Sequence, residues 1–477
     1  MVFQNNVLSG AGGSGTTVYQ IDQSIRFNEA DSPYMQKTYS GDGSRTTWSF
    51  SFWTKLGKSP PYNTTRGMFL IAYNTSSGAQ EDIRIEGSNQ QLQWFTHNDG
   101  GTGTLADLKT TQYLRDHSAW YHILCVADRT HAVASERQRM YINGQRVTDF
   151  DTETYPSKDA EGHVGKSADV HYIGSRGGNS NTRLDGYMAE IHYLDGLAYD
   201  PSFFGEFNSS GIWIPKKYTG SYGTNGFKID GRDSSDLGDD ESGNGNDFTT
   251  SGLAAHDQVV DSPTNNFCTF NPTDNRGNPG TLSEGNLKMA FAATNDNVTG
   301  TQGISSGKWY WEAHIVDNAY AYIGVQDSGI AATGYTASAV ALYDGGFVYE
   351  NNSDTGDRST TYTNGDVVGV AFDAGNKKIW WSKNGQWYSA DDASAAAINI
   401  SEVEAGNQAQ VITRSPDFFM PFYGNYTHST AIFNFGQEGT FSGNETAGGN
   451  SDGNGVGNFF SAVPSGFLAL CTNNLGS

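Results

Sequence analysis

Gly365-Asp366-Val367-Val368-Gly369-Val370-Ala371-Phe372-Asp373, then Ala374-Gly375-Asn376 and Lys378 to Tyr388, is the stretch that decides the fold. Val368, Val370 and Phe372 alternate with Val367, Gly369 and Ala371, the period of a strand with one bulky face. Ala374-Gly375-Asn376 is a turn cluster, after which Lys378 to Lys383 alternates again and sets Ile379 and Trp381 together. Asn384-Gly385 accepts the positive φ angles of a tight hairpin, and Gln386-Trp387-Tyr388 starts the return strand. The reading is an antiparallel β-meander. The same layout stands far upstream: a strand Trp120 to Asp128, a polar loop Arg129 to Gln138, a strand Arg139-Met140-Tyr141-Ile142, then Asn143-Gly144 and Gln145-Arg146-Val147. Its recurrence predicts two β-sandwich domains of one architecture in tandem.

Composition agrees. A chain of 477 residues has room for two or three domains. With 59 Gly and only 17% charged residues, and without a long helical heptad, it reads as all-β with many turns. Most of the ten Trp are expected in the cores. A net charge of −23 argues against nucleic acid and anionic membranes, which both need a basic footprint. The three cysteines, Cys125, Cys268 and Cys471, lie far apart without CxxC spacing, so neither a disulfide framework nor a zinc site is expected. No signal-peptide pattern and no membrane-length apolar run is visible, and assembly in a reducing cytoplasm is expected.

Along the chain, "SFWTK" (51–55), "WYHILCVAD" (120–128), "MYINGQRV" (140–147), "YIGS" (172–175) and "LDGYMAEIHYLDG" (184–196) resemble the strand series of laminin-G-like, concanavalin-A-like domains. That resemblance implies a jelly-roll sandwich over residues 20–205. Gly307-Lys308-Trp309-Tyr310-Trp311-Glu312-Ala313, Tyr322-Ile323-Gly324-Val325, the 365–387 meander, Met420-Pro421-Phe422-Tyr423 and Phe433-Asn434-Phe435-Gly436-Gln437 resemble, in order, the strands of a SPRY domain over 286–440. SPRY domains are also concanavalin-A-like sandwiches. The fold expected is therefore all-β: two such jelly rolls in tandem, joined by an ordered, aromatic-rich bridge over 206–285. A docking arm at 1–19 precedes them, and a segment at 441–477 packs back on the second sandwich. The whole string, with the Gly-rich opening and the closing Pro464 to Leu475, resembles structural proteins of tailed, especially marine, bacteriophages. That resemblance implies a virion component assembled in the host cytoplasm.

The search for chemistry finds no paired-carboxylate E-x-D-x-x-E run, GxSxG, HExxH or P-loop. Glu190 and Asp195 fall on opposite faces of one strand, and His122 and His192 read as hydrogen-bonding strand residues. No enzyme is expected. The acidic loop Asp233 to Asp247 offers carboxylates, amides and glycines on a turn, so Asp240, Asn244 and Asp247 are candidate Ca2+ ligands; a solvated acidic loop is the equal alternative. Binding is expected from loops at one end of a sandwich. In SPRY domains the loops flanking the start of the meander bind, which points to 342–349 and 351–358 here. Tyr343 and Tyr349 are the candidates to stack on a sugar or a peptide, against covering the sheet edge.

The leading expectation is a tail-fibre or other adhesion component binding a host-surface glycan or protein without chemistry. Other virion proteins would be met through the N-terminal arm, and repeated copies, as in a homo-oligomer, would add avidity. The alternatives are a capsid-attached decoration or fibre-base protein, and a polysaccharide-degrading enzyme on the same fold.

Overall fold

The computed structural model describes residues 19–57, 66–87, 89–276, 280–328 and 336–475. Of the expected docking arm, 1–19, only Tyr19 is among them. The chain divides into two units between Thr264 and Asn265.

In the first unit, Trp48, Phe50 and Phe52 alternate along Thr47–Leu56, so one face opens with three buried rings. Burying that face organises two sheets of eight strands each. One sheet runs Gln145–Arg146, Gln138–Ile142, Tyr121–Asp128, Thr47–Leu56, Gly186–Asp195, Ser24–Phe27, Gln258–Val259, with Phe227–Ile229 also on Gly186–Asp195. The other runs Phe150–Thr154, Thr104–Tyr113, Gln91–His97, Gln80–Glu86, Arg66–Tyr73, Val170–Gly174, Tyr34–Lys37, Thr249–Ser251. Between them Trp48 meets Trp94 at 4.9 Å between ring centroids and Phe52 meets Phe69 at 4.7 Å. Cys125 is a buried core residue there.

The aromatic-rich segment after Asp195 is ordered, and its stretch up to Thr264 adds to this sandwich. Phe227, Ile229, Leu237 and Phe248 fill the core. Lys55 Nζ pairs with the Asp261 carboxylate at 2.8 Å, both buried, and the Trp120 indole donates to the same carboxylate at 3.2 Å. Such a buried pair fixes the segment because separating it would strand a charge.

The second unit is built on two strands longer than the sequence reading expected. Lys308–Asp327 is one strand of 20 residues, and Phe419–Asn434 one of 16. Each unites two stretches read as separate strands, and the two pair antiparallel along their length. Lys308 to His314 lie against Val367–Asp373, whereas Tyr322 to Gln326 lie against Ala339–Tyr343. The pair thus belongs to two rows of strands, and the change of row falls at bulges between Ile315 and Asp317 and between Ala319 and Ala321. Trp311, Ile323, Val370, Trp381 and Phe433 fill the core. Close to the chain's last described residues, Leu468–Ala469 joins Trp309 and Tyr310 in parallel. Cys268 N donates to Leu470 O and Thr472 N to Asn266 O, each at 3.0 Å, so residues 266–268 lie beside residues 470–472.

The two meanders match to the level of single hydrogen bonds. Asn143 and Gly144 have φ of 49° and 74°, and Asn384 and Gly385 have 49° and 82°. Both are left-handed pairs that suit a two-residue hairpin. Each Asn side chain then accepts from the backbone at the start of the first strand: His122 N to Asn143 Oδ1 and Val367 N to Asn384 Oδ1, both 2.8 Å. Among the described residues no helix is long and apolar enough to cross a membrane.

Candidate functional site

The bulge at Ala319–Ala321 exposes the most distinctive side chain of the second sandwich. Tyr320 has φ 63°, a left-handed backbone that is strained for a bulky residue. Asp344 holds it there. Its carboxylate accepts from Tyr320 N at 3.1 Å, and its own amide donates to Ala321 O at 3.1 Å. The Tyr362 hydroxyl, buried beneath, donates to Ala321 O at 2.8 Å and Leu342 O at 3.1 Å.

Around Tyr320 the rings are continuous. Tyr320 lies parallel to Tyr343 at 5.9 Å and edge-on to Tyr426 at 5.7 Å. Tyr343 in turn stacks on Tyr322 at 5.1 Å and meets Tyr349 edge-on at 6.2 Å. Gly345 leaves room for the Tyr343 ring, since a Cβ there would fall 2.7 Å from it. Phe347 borders Tyr343 at 6.0 Å and carries the Arg358 guanidinium 4.0 Å above its ring. Arg358 is oriented by two bonds to the Asp354 carboxylate, at 2.9 and 3.1 Å. Of the large apolar side chains exposed among the described residues, Tyr320 (47%), Tyr426 (45%) and Phe347 (36%) all belong to this patch. A concentration of exposed rings on one surface marks an interaction site. Burial raises the Asp344 carboxyl above its usual range, partly offset by hydrogen bonds from Tyr320 N and Tyr343. Burial and the neighbouring Asp344 raise the Tyr343 phenol. The patch is thus a row of ring faces beside a carboxyl group that accepts hydrogen bonds.

Both tyrosines expected to bind, Tyr343 and Tyr349, lie in the patch, half-buried, as its inner members. Of its exposed members, Phe347 falls in the expected loop 342–349, whereas Tyr320 and Tyr426 lie outside the expected loops. The alternating Asn318-Ala319-Tyr320-Ala321-Tyr322 was the available signal.

The three expected calcium ligands sit in a hydrogen-bonded turn. Asp240 Oδ1 accepts from Lys228 N and Ser242 N, both at 2.9 Å, and Oδ2 from Ser242 Oγ and Asn246 N, both at 2.8 Å. Asp247 accepts from Asp240 N at 3.1 Å, while the Asn244 amide donates to Gly223 O and Gly226 O. These carboxylates act here as turn-formers, and among the described residues no three His, Cys, Asp or Glu side chains converge as a metal site.

The first sandwich has a denser titratable cluster, and it is closed. Glu190, at φ 47° in a bulge, accepts from the Tyr19 hydroxyl at 2.8 Å and pairs with His192 at 3.1 Å and Lys228 at 3.3 Å. Burial would raise the Glu190 carboxyl, but the His192 bond and the adjacent cations outweigh it and hold its pKa at about 2. Asp195 lies apart from it, accepting from Ser44 N at 2.6 Å and Asn225 N at 3.0 Å. His122, fully buried, contacts Ser51 Oγ at 2.8 Å and accepts from the Trp213 indole at 3.1 Å. Burial, with the neighbouring His192, lowers its pKa to about 3. Its Nδ1 is thereby an acceptor and its Nε2 carries the proton, so it cannot take one from Ser51. The space beside this cluster is about 10 Å³, the limit for a single water.

Comparison with known proteins places both halves. The first matches the sequence model of the concanavalin A-like lectin/glucanases superfamily, of laminin G type, over residues 30–197. The second matches the SPRY domain over 308–395. No curated protein sequence matches. Among solved structures, the chain is similar to the SPRY domain of human HERC1, at 15% identity, covering 34% of this chain and 96% of that one, with a TM-score of 0.28. It is similar to domains LG4-5 of the mouse laminin alpha1 chain, at 9% identity over 88% and 91% of the two chains, TM-score 0.31. A SAP-like pentraxin from Limulus polyphemus is 11% identical over 38% and 80%, TM-score 0.28. The chain therefore carries a laminin-G-type, concanavalin-A-like domain followed by a SPRY domain.

Proposed function

We propose that this chain is an adhesion protein that binds a glycan on the Tyr320–Tyr343–Tyr426 platform of its SPRY domain without altering it covalently. The supporting observation is Tyr320 itself: a tyrosine held in a strained backbone by Asp344, with its ring turned out to solvent. A fold keeps such strain where the displayed group has a use. Ring faces contact the apolar faces of sugars, and the adjoining carboxyl and amide groups accept and donate to hydroxyls. Resemblance to tailed-phage structural proteins supports placing the protein in a virion, as part of a tail fibre or similar device that meets the host surface. Adsorption of the fluorescently labelled chain to a printed oligosaccharide panel tests the binding. Retention on a subset of glycans without release of reducing ends is the expected result. Release of reducing ends would replace the adhesion reading by an enzymatic one. Antibody labelling of intact particles tests the placement: decoration of the tail is expected, and decoration of the shell would make the chain a capsid component instead.

A further inference from the structure

A cavity on the first sandwich is lined by residues other than those of the Glu190 cluster. It measures about 300 Å³ and is bounded by Arg66, Met68, Gln80, Arg176, Asn179 and Asn181. Arg66, Met68 and Gln80 come from two adjacent strands, Arg66–Tyr73 and Gln80–Glu86. The opposite wall is the loop after Val170–Gly174. Gly177 and Gly178 turn it with φ of 57° and 75°. Thr182 Oγ1 accepts from Arg176 N at 3.1 Å, and Asn181 O accepts from Arg66 N at 3.0 Å, so this wall is tied to the strand opposite.

Charge singles out Arg176. Arg66 pairs with Glu86 at 3.2 Å, and Arg84 pairs with Asp82 and Glu86, both at 2.7 Å. Arg176 lies with its guanidinium 4.7 Å from the Tyr73 ring centroid and donates to Gln80 Oε1 at 3.4 Å. Gln80 is itself fixed by donating to Asp82 at 2.6 Å. Among the described residues Arg176 meets no carboxylate. Arg66, Arg84 and Arg176 thus face Asp82 and Glu86, which leaves one positive charge around this cavity in a chain whose net charge is −23. A guanidinium held over a ring presents a planar fork that matches a carboxylate, which a lysine would not. The rest of the wall is amide-rich, with Met68 as its apolar member.

We infer that this cavity is a second ligand site, for a carboxylate-bearing sugar residue whose acid group sits on Arg176 and whose hydroxyls meet the Gln80, Asn179 and Asn181 amides. Its volume stands at the bottom of the ~300–1,000 Å³ range of ligand sites, so it accommodates a single ring of a chain. The site is independent of the platform on the SPRY domain.

The test uses the full chain and saturation-transfer NMR with methyl galacturonide, methyl galactoside and galactose 6-sulfate. Binding of the galacturonide, with the neutral galactoside at least about ten-fold weaker, is the expected result. Arg176→Gln should abolish the signal and Arg176→Lys should weaken it several-fold, while both variants keep the wild-type Tm. Tyr320→Gly should leave it unchanged. Equal binding of the galactoside, or no binding of the galacturonide, would overturn the inference, as would its survival in Arg176→Gln. Preference for the sulfate would overturn the carboxylate assignment, and loss in Tyr320→Gly would assign the signal to the platform.

Discussion

Replacing Tyr320 by glycine separates what the platform does from what it costs the fold. A tyrosine offers roughly 200 Å² of surface that burial can remove from water. Tyr320 leaves 47% of its surface exposed, so a ligand that covers the ring buries about 95 Å². At ~25 cal/mol per Å² that is about 2.4 kcal/mol, or about 60-fold in Kd. Stability moves much less, because two effects oppose. Glycine adopts φ 63° freely and relieves about 1–2 kcal/mol of backbone strain. Against this, the ring contacts to Tyr343 and Tyr426 are lost, at about 0.5–1.5 kcal/mol each, and glycine adds disorder to the unfolded chain. The net is a destabilisation of about 1 kcal/mol, read as a Tm lower by about 2–4 °C. Tyr320→Ala, which keeps the strained backbone without the ring, should lose the same affinity and be less stable than the glycine variant. Calorimetric titration with the tightest-binding oligosaccharide of the panel, beside thermal melts, measures both. A Kd within about twofold of wild type, with the melting shift as expected, would show that ligands bind elsewhere and refute the reasoning.

Other consequences are as direct. Glu190, held at about 2 against an ordinary 4.5, is a depressed carboxyl, so its contribution is complete above pH 4.5 and disappears as pH falls toward 2. That gap amounts to about 3 kcal/mol, and Glu190→Gln should remove it from the difference between urea melts at about pH 5 and about pH 2. Asp240→Ala removes the acceptor of four hydrogen bonds and should lower stability by about 2–3 kcal/mol in denaturant titrations. Because donors already occupy both Asp240 oxygens, EDTA should leave the wild-type Tm unchanged; a drop of several degrees would favour the calcium reading. The two Asn-Gly hairpins should respond unequally to Gly→Ala. At Gly385 the nearest atom to a new Cβ is Ser461 Oγ at 3.7 Å, so only about 1 kcal/mol of backbone strain is expected. At Gly144 the Cβ would collide with the Trp213 ring, and the loss should be at least twice as large by the same melts.

The fold was legible because its signals are local. Alternation along 365–373 and 120–128, and the Asn-Gly pairs after them, need no distant information, and the hairpins form as those residues require. The length of Lys308–Asp327 was not legible. Polar and alanine residues between 316 and 321 interrupt the apolar pattern, and only pairing with Phe419–Asn434 carries the strand through them. That interruption also hid Tyr320, since no residue type announces a tyrosine with positive φ. Tyr343 and Tyr349 were accessible through the loops that flank the meander. The acidic loop reads two ways for a physical reason: Asp and Asn that bend a chain through backbone hydrogen bonds have the same composition as those that ligate calcium. The Arg176 cavity draws its residues from strands and a loop roughly a hundred positions apart, which no linear motif records.

In the second unit residues 266–268 run beside residues 470–472, with Cys268 bonded to Leu470 and Asn266 to Thr472. A module whose two ends emerge at one spot behaves as a cassette. It can be spliced into a surface loop of an unrelated scaffold without stretching either junction, and its chain can be reopened at the Gly375 turn with the old ends fused. Residues 266–472 are thereby portable as a single piece, and their ring platform would travel with them.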